Sequence, residues 1–213
     1  MTKFLFIRHG ESMANHEGKF IGHTDAPLHQ NGIEQAKLTA KFVAQKYKVD
    51  KIYASDLSRA YNTALWVANE FGIDVKTDKN LRELYAGEWE GLLFDSLGDL
   101  YPEEYALWFN EIDKSHCPGG ESVKELTDRF VGCLEKIAKE CDGQTVVVAS
   151  HATPIRVITS VAQTGGIAKM HTVPWVSNAS VTEIEYSNGK WDIKALSLDE
   201  HLKEIKTELP QNV

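Results

Sequence analysis

Residues 144–151 read QTVVVASH. Val146, Val147, Val148 and Ala149 follow one another with no polar residue between them. A strand with one face in water alternates apolar and polar side chains; one covered on both faces does not. This stretch is therefore a central strand of a sheet with helices on each side, and the chain must surface where it ends, at His151. KFLFIR at 3–8 has the same character, and VDKIYAS at 49–55 and IDVKT at 73–77 read as two further strands.

Between these strands lie segments with helical periodicity. Ile33, Ala36, Ala40, Val43, Ala44 and Tyr47 fall on one face of a helix over 31–47. A second helix runs over 56–72, capped by Ser55 or Asp56 and stopped by Gly72. A third, over 122–141, has Glu125 placed for a capping box with Ser122. Pro154 opens a fourth, which Gly165 and Gly166 end. Ser187-Asn188-Gly189 lies between two strand-like runs and signals a hairpin. Strands alternating with helices predict a three-layer α/β/α sandwich with a largely parallel central sheet. One domain over 1–198 is expected, with a small helical cap at about 88–120. The polar residues 199–213 form a C-terminal extension, expected as poorly ordered chain or a short helix.

The net charge of −8 over 213 residues argues against non-specific binding to nucleic acid or an anionic membrane. No apolar run reaches membrane-spanning length, and the N-terminus lacks the pattern of a signal peptide, so the cytoplasm is the expected location. Cys117, Cys133 and Cys141 show no metal-ligand spacing and read as free thiols. HExxH, DxD, P-loop and GxSxG patterns are missing.

In sheets of this kind ligands bind beyond the C-terminal ends of the strands. Arg8 and His9 follow the first strand, Arg59 the second, Glu83 the third, and His151 ends the fourth. Each alone has an ordinary explanation: a hydrogen-bonded histidine, a salt-bridged arginine, a solvated glutamate. Together they place two guanidiniums, two imidazoles and a carboxylate on one rim. Two guanidiniums can hold a phosphate by their planar forks. A neutral imidazole between them is a nucleophile for phosphorus. A second imidazole, if protonated, adds charge beside the transferring group. A carboxyl raised by its surroundings can protonate the leaving oxygen.

RHGES with Asn15 beyond it, GHTDAPLHQNGIEQA, YASDLSRAYNTA, LRELYAGEWEG, PGGES, SHATPIR and SNASVTEIE follow in this order from Lys3 to about Leu198. This ordered set resembles the histidine phosphatase superfamily, the phosphoglycerate mutase-like proteins, in its larger branch. The resemblance implies that His9 is the phosphorylated nucleophile and that Arg8, Arg59 and His151 form the phosphate pocket. It gives Asn15 and the backbone N–H of Ala152 further phosphate contacts, and makes Glu83 the proton donor and later the base for water. Ile21 and Gly22 match the loop facing the rest of the substrate. It implies no metal and no other cofactor, a small phosphorylated metabolite as substrate, and a possible homodimer.

The family holds phosphatases and mutases. Mutases carry a longer insertion between the positions of Glu83 and His151, with adjacent arginines. Here that segment contains Arg129 alone, on a predicted helix, and its cap is acidic (Glu88, Glu90, Asp95, Asp99, Glu103, Glu104). This favours a phosphomonoesterase similar to the α-ribazole phosphate and broad-specificity bacterial phosphatases. A mutase-type phosphotransferase is the alternative, and an inactive phosphate-ester binder is disfavoured because the nucleophile and acid are both present. Of Tyr85, Trp89, Tyr101, Tyr105, Trp108 and Phe109, most are expected to pack the cap. Tyr85 and Trp89, next to Glu83, are expected at the substrate. His29 stands where the family has a Ser or Thr and reads as a changed helix cap. His16 reads as a surface residue and His23 at most as a specificity residue. His116, His171 and His201 have no assigned role.

Overall fold

The computed structural model describes residues 1–207. Six strands form one sheet: β1 (Thr2–Arg8), β2 (Lys51–Ala54), β3 (Val75–Thr77), β4 (Thr145–Ser150), β5 (Val181–Ser187) and β6 (Lys190–Leu198). The order is β3-β2-β4-β1-β5-β6, and only β5 runs against the rest. The helices are α1 (Met13–His16), α2 (Gln30–Lys46), α3 (Ser58–Phe71), α4 (Leu97–Leu100), α5 (Pro102–Asn110), α6 (Val123–Glu140) and α7 (Ala152–Thr164).

The unbroken apolar runs have their cause in two cores. Phe4, Phe6, Val146 and Val148 pack on one face with Phe130 and Leu134 of α6 and Ile155 and Ile158 of α7. Leu5, Ile7, Val147 and Ala149 pack on the other with Ala40 and Val43 of α2 and Ala64 and Val67 of α3. Successive side chains of Phe4–Ile7 and Val146–Ala149 thus enter opposite cores, so these stretches have no polar position to spare. Each large apolar side chain so buried is worth roughly 1.5–3 kcal/mol. Cys117, Cys133 and Cys141 are buried and free. Burial pushes the Cys117 and Cys133 thiols up to about 12, which keeps them unreactive.

The hairpin between β5 and β6 turns on Asn188 and Gly189, both at positive φ (51° and 76°). Ser122 and Glu125 form the expected capping box on α6. The cap on α3 differs from expectation: its N-cap is Leu57, without a side-chain hydrogen bond. Asp56 is drawn instead into a paired contact with Arg82, 2.6 Å at both oxygens.

Residues 88–120 hold α4, α5 and short 3-10 turns. The described part of the C-terminal extension, expected as poorly ordered chain or a short helix, holds a short 3-10 helix at Lys203–Ile205 and folds back on α2. Leu202 is buried, and Gln35 Nε2 donates to Ile205 O and Thr207 Oγ1, both at 2.8 Å. The remainder of that extension, 208–213, lies outside the described residues. Among the described residues no helix is long and apolar enough to cross a membrane.

Candidate active site

β1 and β4 are parallel neighbours, so Arg8 pairs with Ser150 and the two chains leave the sheet side by side. Their next residues are His9 and His151, which stand with ring centroids 5.1 Å apart at 65°. Gly10 O accepts from His9 Nδ1 at 2.7 Å. A carbonyl can only accept, so the proton of the neutral ring sits on Nδ1 and Nε2 keeps its lone pair. Burial, then the charges of Arg59 and Arg8, hold His9 well below the usual histidine range. The same causes, burial and then Arg59, hold His151 down as well. Both rings are neutral imidazoles at neutral pH.

The backbone around His9 is fixed from three sides. Gly10 N–H donates to Thr63 Oγ1 at 3.1 Å, Asn178 Nδ2 donates to His9 O at 3.0 Å, and Ala179 N–H lies 3.0 Å from Arg8 O. Ala179 holds a left-handed backbone (φ 57°) to make that contact, a conformation that costs an alanine of order 1–3 kcal/mol.

The arginines are held by carbonyls. Arg8 Nη1 donates to Val176 O at 2.6 Å. Arg59 Nη1 and Nη2 donate to Thr24 O (2.9 Å) and Gly22 O (2.7 Å). Arg8 Nε and Arg59 Nε are buried and have no hydrogen-bond partner among the described residues. Burial lowers both guanidiniums, Arg8 to about 10, so both stay charged at neutral pH. Two buried cations with orphaned donors are a site built for an anion.

Glu83 is buried, and burial pushes its carboxyl above the usual range. Its Oε1 accepts from Leu84 N–H at 2.8 Å, and its Oε2 from Thr153 N–H at 3.3 Å. The pocket encloses about 140 Å³. Arg8, His9, Asn15, Ile21, Arg59, Glu83 and Ala152 line it, as do Thr153 and Asn178. His151 is fully buried behind His9. Asn15 does two things: its Oδ1 accepts from Ser12 N–H and Asn178 Nδ2, capping α1, which leaves its amide nitrogen as the donor for a ligand. His29 caps α2, its Nδ1 accepting from Asn31 N–H at 3.4 Å.

Three expectations need correction. Trp89 is fully buried, ringed by Phe20, Trp108 and Tyr101 at 5.5–6.2 Å, and packs the cap. So large an apolar surface gains more from that core than from a rim. Tyr85 is 42% exposed and faces a different depression, beside His23, Arg82 and Arg129. Gly22 supports the pocket without lining it. Its N–H donates to Glu90 Oε2 at 3.1 Å, and a Cβ there would stand 1.9 Å from Leu84 O.

The aromatic walls are instead Phe20, Phe94, Trp108 and Trp175, with Lys19 at the edge. Of these only Trp108 was among the aromatics singled out in the sequence. Arg156 of SHATPIR sits 4.0 Å from the Trp175 ring centre. Ser55 was read as a helix cap; its Oγ contacts His151 Nε2 at 2.9 Å. Glu90 gathers the N–H groups of Gly22, His23 and Thr24, the loop that holds Arg59. Nothing in the local sequence marks these roles, since each joins segments remote along the chain.

A family model described as the histidine phosphatase superfamily (branch 1) matches residues 4–199. Phosphoserine phosphatase 1 of Hydrogenobacter thermophilus is 33% identical over 98% of both chains. A metal-independent phosphoserine phosphatase of Arabidopsis thaliana is 31% identical over 96% of this chain and 85% of its own. Among solved structures, Bacillus stearothermophilus YhfR has the same fold, with a TM-score of 0.89, 24% identity, and coverage of 95% of this chain and 100% of its own. A mycobacterial glucosyl-3-phosphoglycerate phosphatase complexed with VO3 gives a TM-score of 0.83 at 25% identity, over 92% and 99%.

Proposed function

The chain belongs to branch 1 of the histidine phosphatase superfamily, and from that footing we propose that it is a metal-independent phosphomonoesterase working through a phosphohistidine on His9. One observation carries this reading: two buried guanidiniums, each with an orphaned Nε–H, flank a neutral imidazole whose Nε2 lone pair is free.

The ester's phosphoryl group sits between Arg8 and Arg59, with the Asn15 amide and the Ala152 N–H as further donors. Its charge raises the proton affinity of His151, which then donates from Nδ1, an atom with no partner in the described structure. His9 Nε2 attacks phosphorus; the P–N bond forms as the bond to the ester oxygen breaks. Glu83, whose burial favours the protonated carboxyl, gives its proton to that oxygen, and the alcohol leaves. Glu83, now a carboxylate, takes a proton from water. The oxygen of that water attacks phosphorus, the P–N bond breaks, and inorganic phosphate departs with His9 restored.

The walls of Phe20, Phe94, Trp108 and Trp175 suit a small alcohol that brings apolar area. Phosphoserine, the substrate in the names of the relatives above, is the first ester to test. Among the described residues, Lys19 is the one cation lining the pocket besides the two arginines, so a second phosphate would lack the paired forks given to the first. That disfavours the mutase alternative.

The test is phosphate release in EDTA from a panel of esters, phosphoserine, α-ribazole phosphate and phosphoglycerates included, with wild type beside His9→Ala. Release by wild type and none by the variant is expected. Interconversion of 2- and 3-phosphoglycerate with little phosphate released would overturn the reading.

A further inference from the structure

Beside the nucleophile loop, outside the phosphate pocket, three side chains converge that the proposed reaction does not use. Glu11 is two residues past His9, His16 ends α1, and His29 caps α2. We propose that Glu11, His16 and His29 form a binding site for a divalent metal of the zinc and cobalt kind.

The ligand atoms lie within 4.8 Å of one another. His16 Nδ1 stands 3.6 Å from Glu11 Oε1, and His29 Nδ1 stands 3.6 Å from Glu11 Oε2. An imidazole paired with a carboxylate by a hydrogen bond would lie at roughly 2.7–3.2 Å. Two ligands held at 2.0–2.1 Å from one tetrahedral ion lie about 3.4 Å apart. The two spacings, one to each Glu11 oxygen, are too wide for hydrogen bonds and close to that of ligands on one ion. Two imidazoles and one carboxylate, with a position left for water, suit zinc or cobalt, whereas magnesium and calcium take oxygen ligands.

The surroundings fit a ligand set. Glu11 is buried, and its Oε2 is oriented by Asn31 Nδ2 at 2.7 Å, the kind of second contact that fixes a metal-bound carboxylate. His29 Nδ1 accepts from the Asn31 N–H at 3.4 Å. As the acceptor of that contact, His29 Nδ1 presents the lone pair that a metal would take. That long contact is weak enough for an ion to displace. The rings of His16 and His29 are stacked at 4.1 Å and 7°, so one must turn to aim at a common point. His16 can, with 56% of its side chain exposed. Along the chain, spacings of five and thirteen residues form no recognisable metal motif; the fold alone brings the three together. A bound ion would join the loop after β1 to α1 and to the start of α2, and so brace the loop that begins at His9.

The test uses the full chain stripped with chelator and titrated with Zn2+ by calorimetry, and with Co2+ by visible absorption. One saturable site per chain is expected, with a cobalt spectrum of nitrogen and oxygen ligands. His16→Ala should weaken binding on the order of 100-fold while its circular dichroism and its metal-free phosphate release stay at the wild-type level. His29→Asn keeps a good helix cap and should lose the ion as well. Absence of saturable binding, or binding unchanged in both variants, which would put the ion on the pocket histidines or the cysteines, overturns the proposal.

Discussion

The Nε2 of His151 lies 2.9 Å from the hydroxyl of Ser55, and that contact fixes the imidazole edge-on to His9. Ser55 is at the end of β2 and His151 at the end of β4, adjacent strands whose register sets this distance. The hydroxyl thus decides which nitrogen of His151 is left for a ligand.

Ser55→Ala is expected to free the ring and to leave a buried nitrogen without a partner, at a cost of about 1–3 kcal/mol. Turnover should fall by about tenfold, with KM nearly unchanged, because the ring is misplaced where charge develops on the phosphoryl group. Steady-state kinetics on one good substrate check this. Wild-type kcat in Ser55→Ala would mean that the hydroxyl is irrelevant to catalysis.

Glu83 ties the stability of the fold to pH. Burial raises its carboxyl in the folded chain above its value in the unfolded one. The folded state binds the extra proton, so the contribution of Glu83 to stability is fully present at pH below its unfolded value. It is lost as pH rises through its folded value. Glu83→Gln, which keeps the shape without the charge, should therefore raise Tm at neutral pH, and the gain should shrink toward acid. The same variant should lose turnover most for esters of poor leaving alcohols, by roughly 100-fold or more. It should also lose the fall in kcat that wild type shows as Glu83 deprotonates. Thermal melts from pH 4 to 8 beside the rate profile decide the matter; a Tm lowered equally at every pH would contradict it.

The framework was legible because both-face burial leaves its mark in each residue: Phe4–Ile7 of β1 and Val146–Ala149 of β4 include no polar side chain, and the glycines and prolines bound the helices. Arg8, His9, Arg59, Glu83 and His151 were legible as strand ends, which the topology brings to one rim. The walls were not. Phe20 lies in a loop and Trp175 before β5, and only the packing of residues 88–120 brings Phe94 and Trp108 to meet them. Proximity in sequence misled for Tyr85 and Trp89, since a 3-10 turn at Gly87–Trp89 carries the indole into the cap core. The short helix in the tail was legible as one of two readings; its docking on α2 was not, because the polar composition hides a backbone and a hydroxyl acceptor for Gln35.

Those walls should set specificity. Trp175 is half-buried at the pocket, backed by Arg156. Trp175→Ala is expected to raise KM for esters of aromatic alcohols about tenfold, the loss of a stacking contact with its apolar area. KM for glycerol phosphate should change far less. Tyr85→Ala serves as the control and should alter neither. Equal effects from the two substitutions would remove Trp175 from the substrate's surroundings.

Arg59 is held by the loop at Gly22–Thr24. Its two terminal nitrogens donate to Gly22 O and Thr24 O, and that loop is tied to Glu90 through the N–H groups of Gly22, His23 and Thr24. A Cβ on residue 22 would fall 1.9 Å from Leu84 O and 2.7 Å from Ala86 N, both backbone atoms with little room to yield. Gly22→Ala must therefore move the loop, and the carbonyls move with it. Overpacking of this kind costs about 1–3 kcal/mol, and the displaced guanidinium should lose charge-assisted contacts to phosphate worth about 1.5–3 kcal/mol. The expected result is a lowered Tm together with roughly tenfold or greater weakening of inhibition by inorganic phosphate. Glu90→Gln, which frees the loop without a clash, should weaken phosphate in the same direction and cost less stability. If Gly22→Ala lowers Tm while phosphate inhibits as in wild type, the loop supports the fold without positioning Arg59.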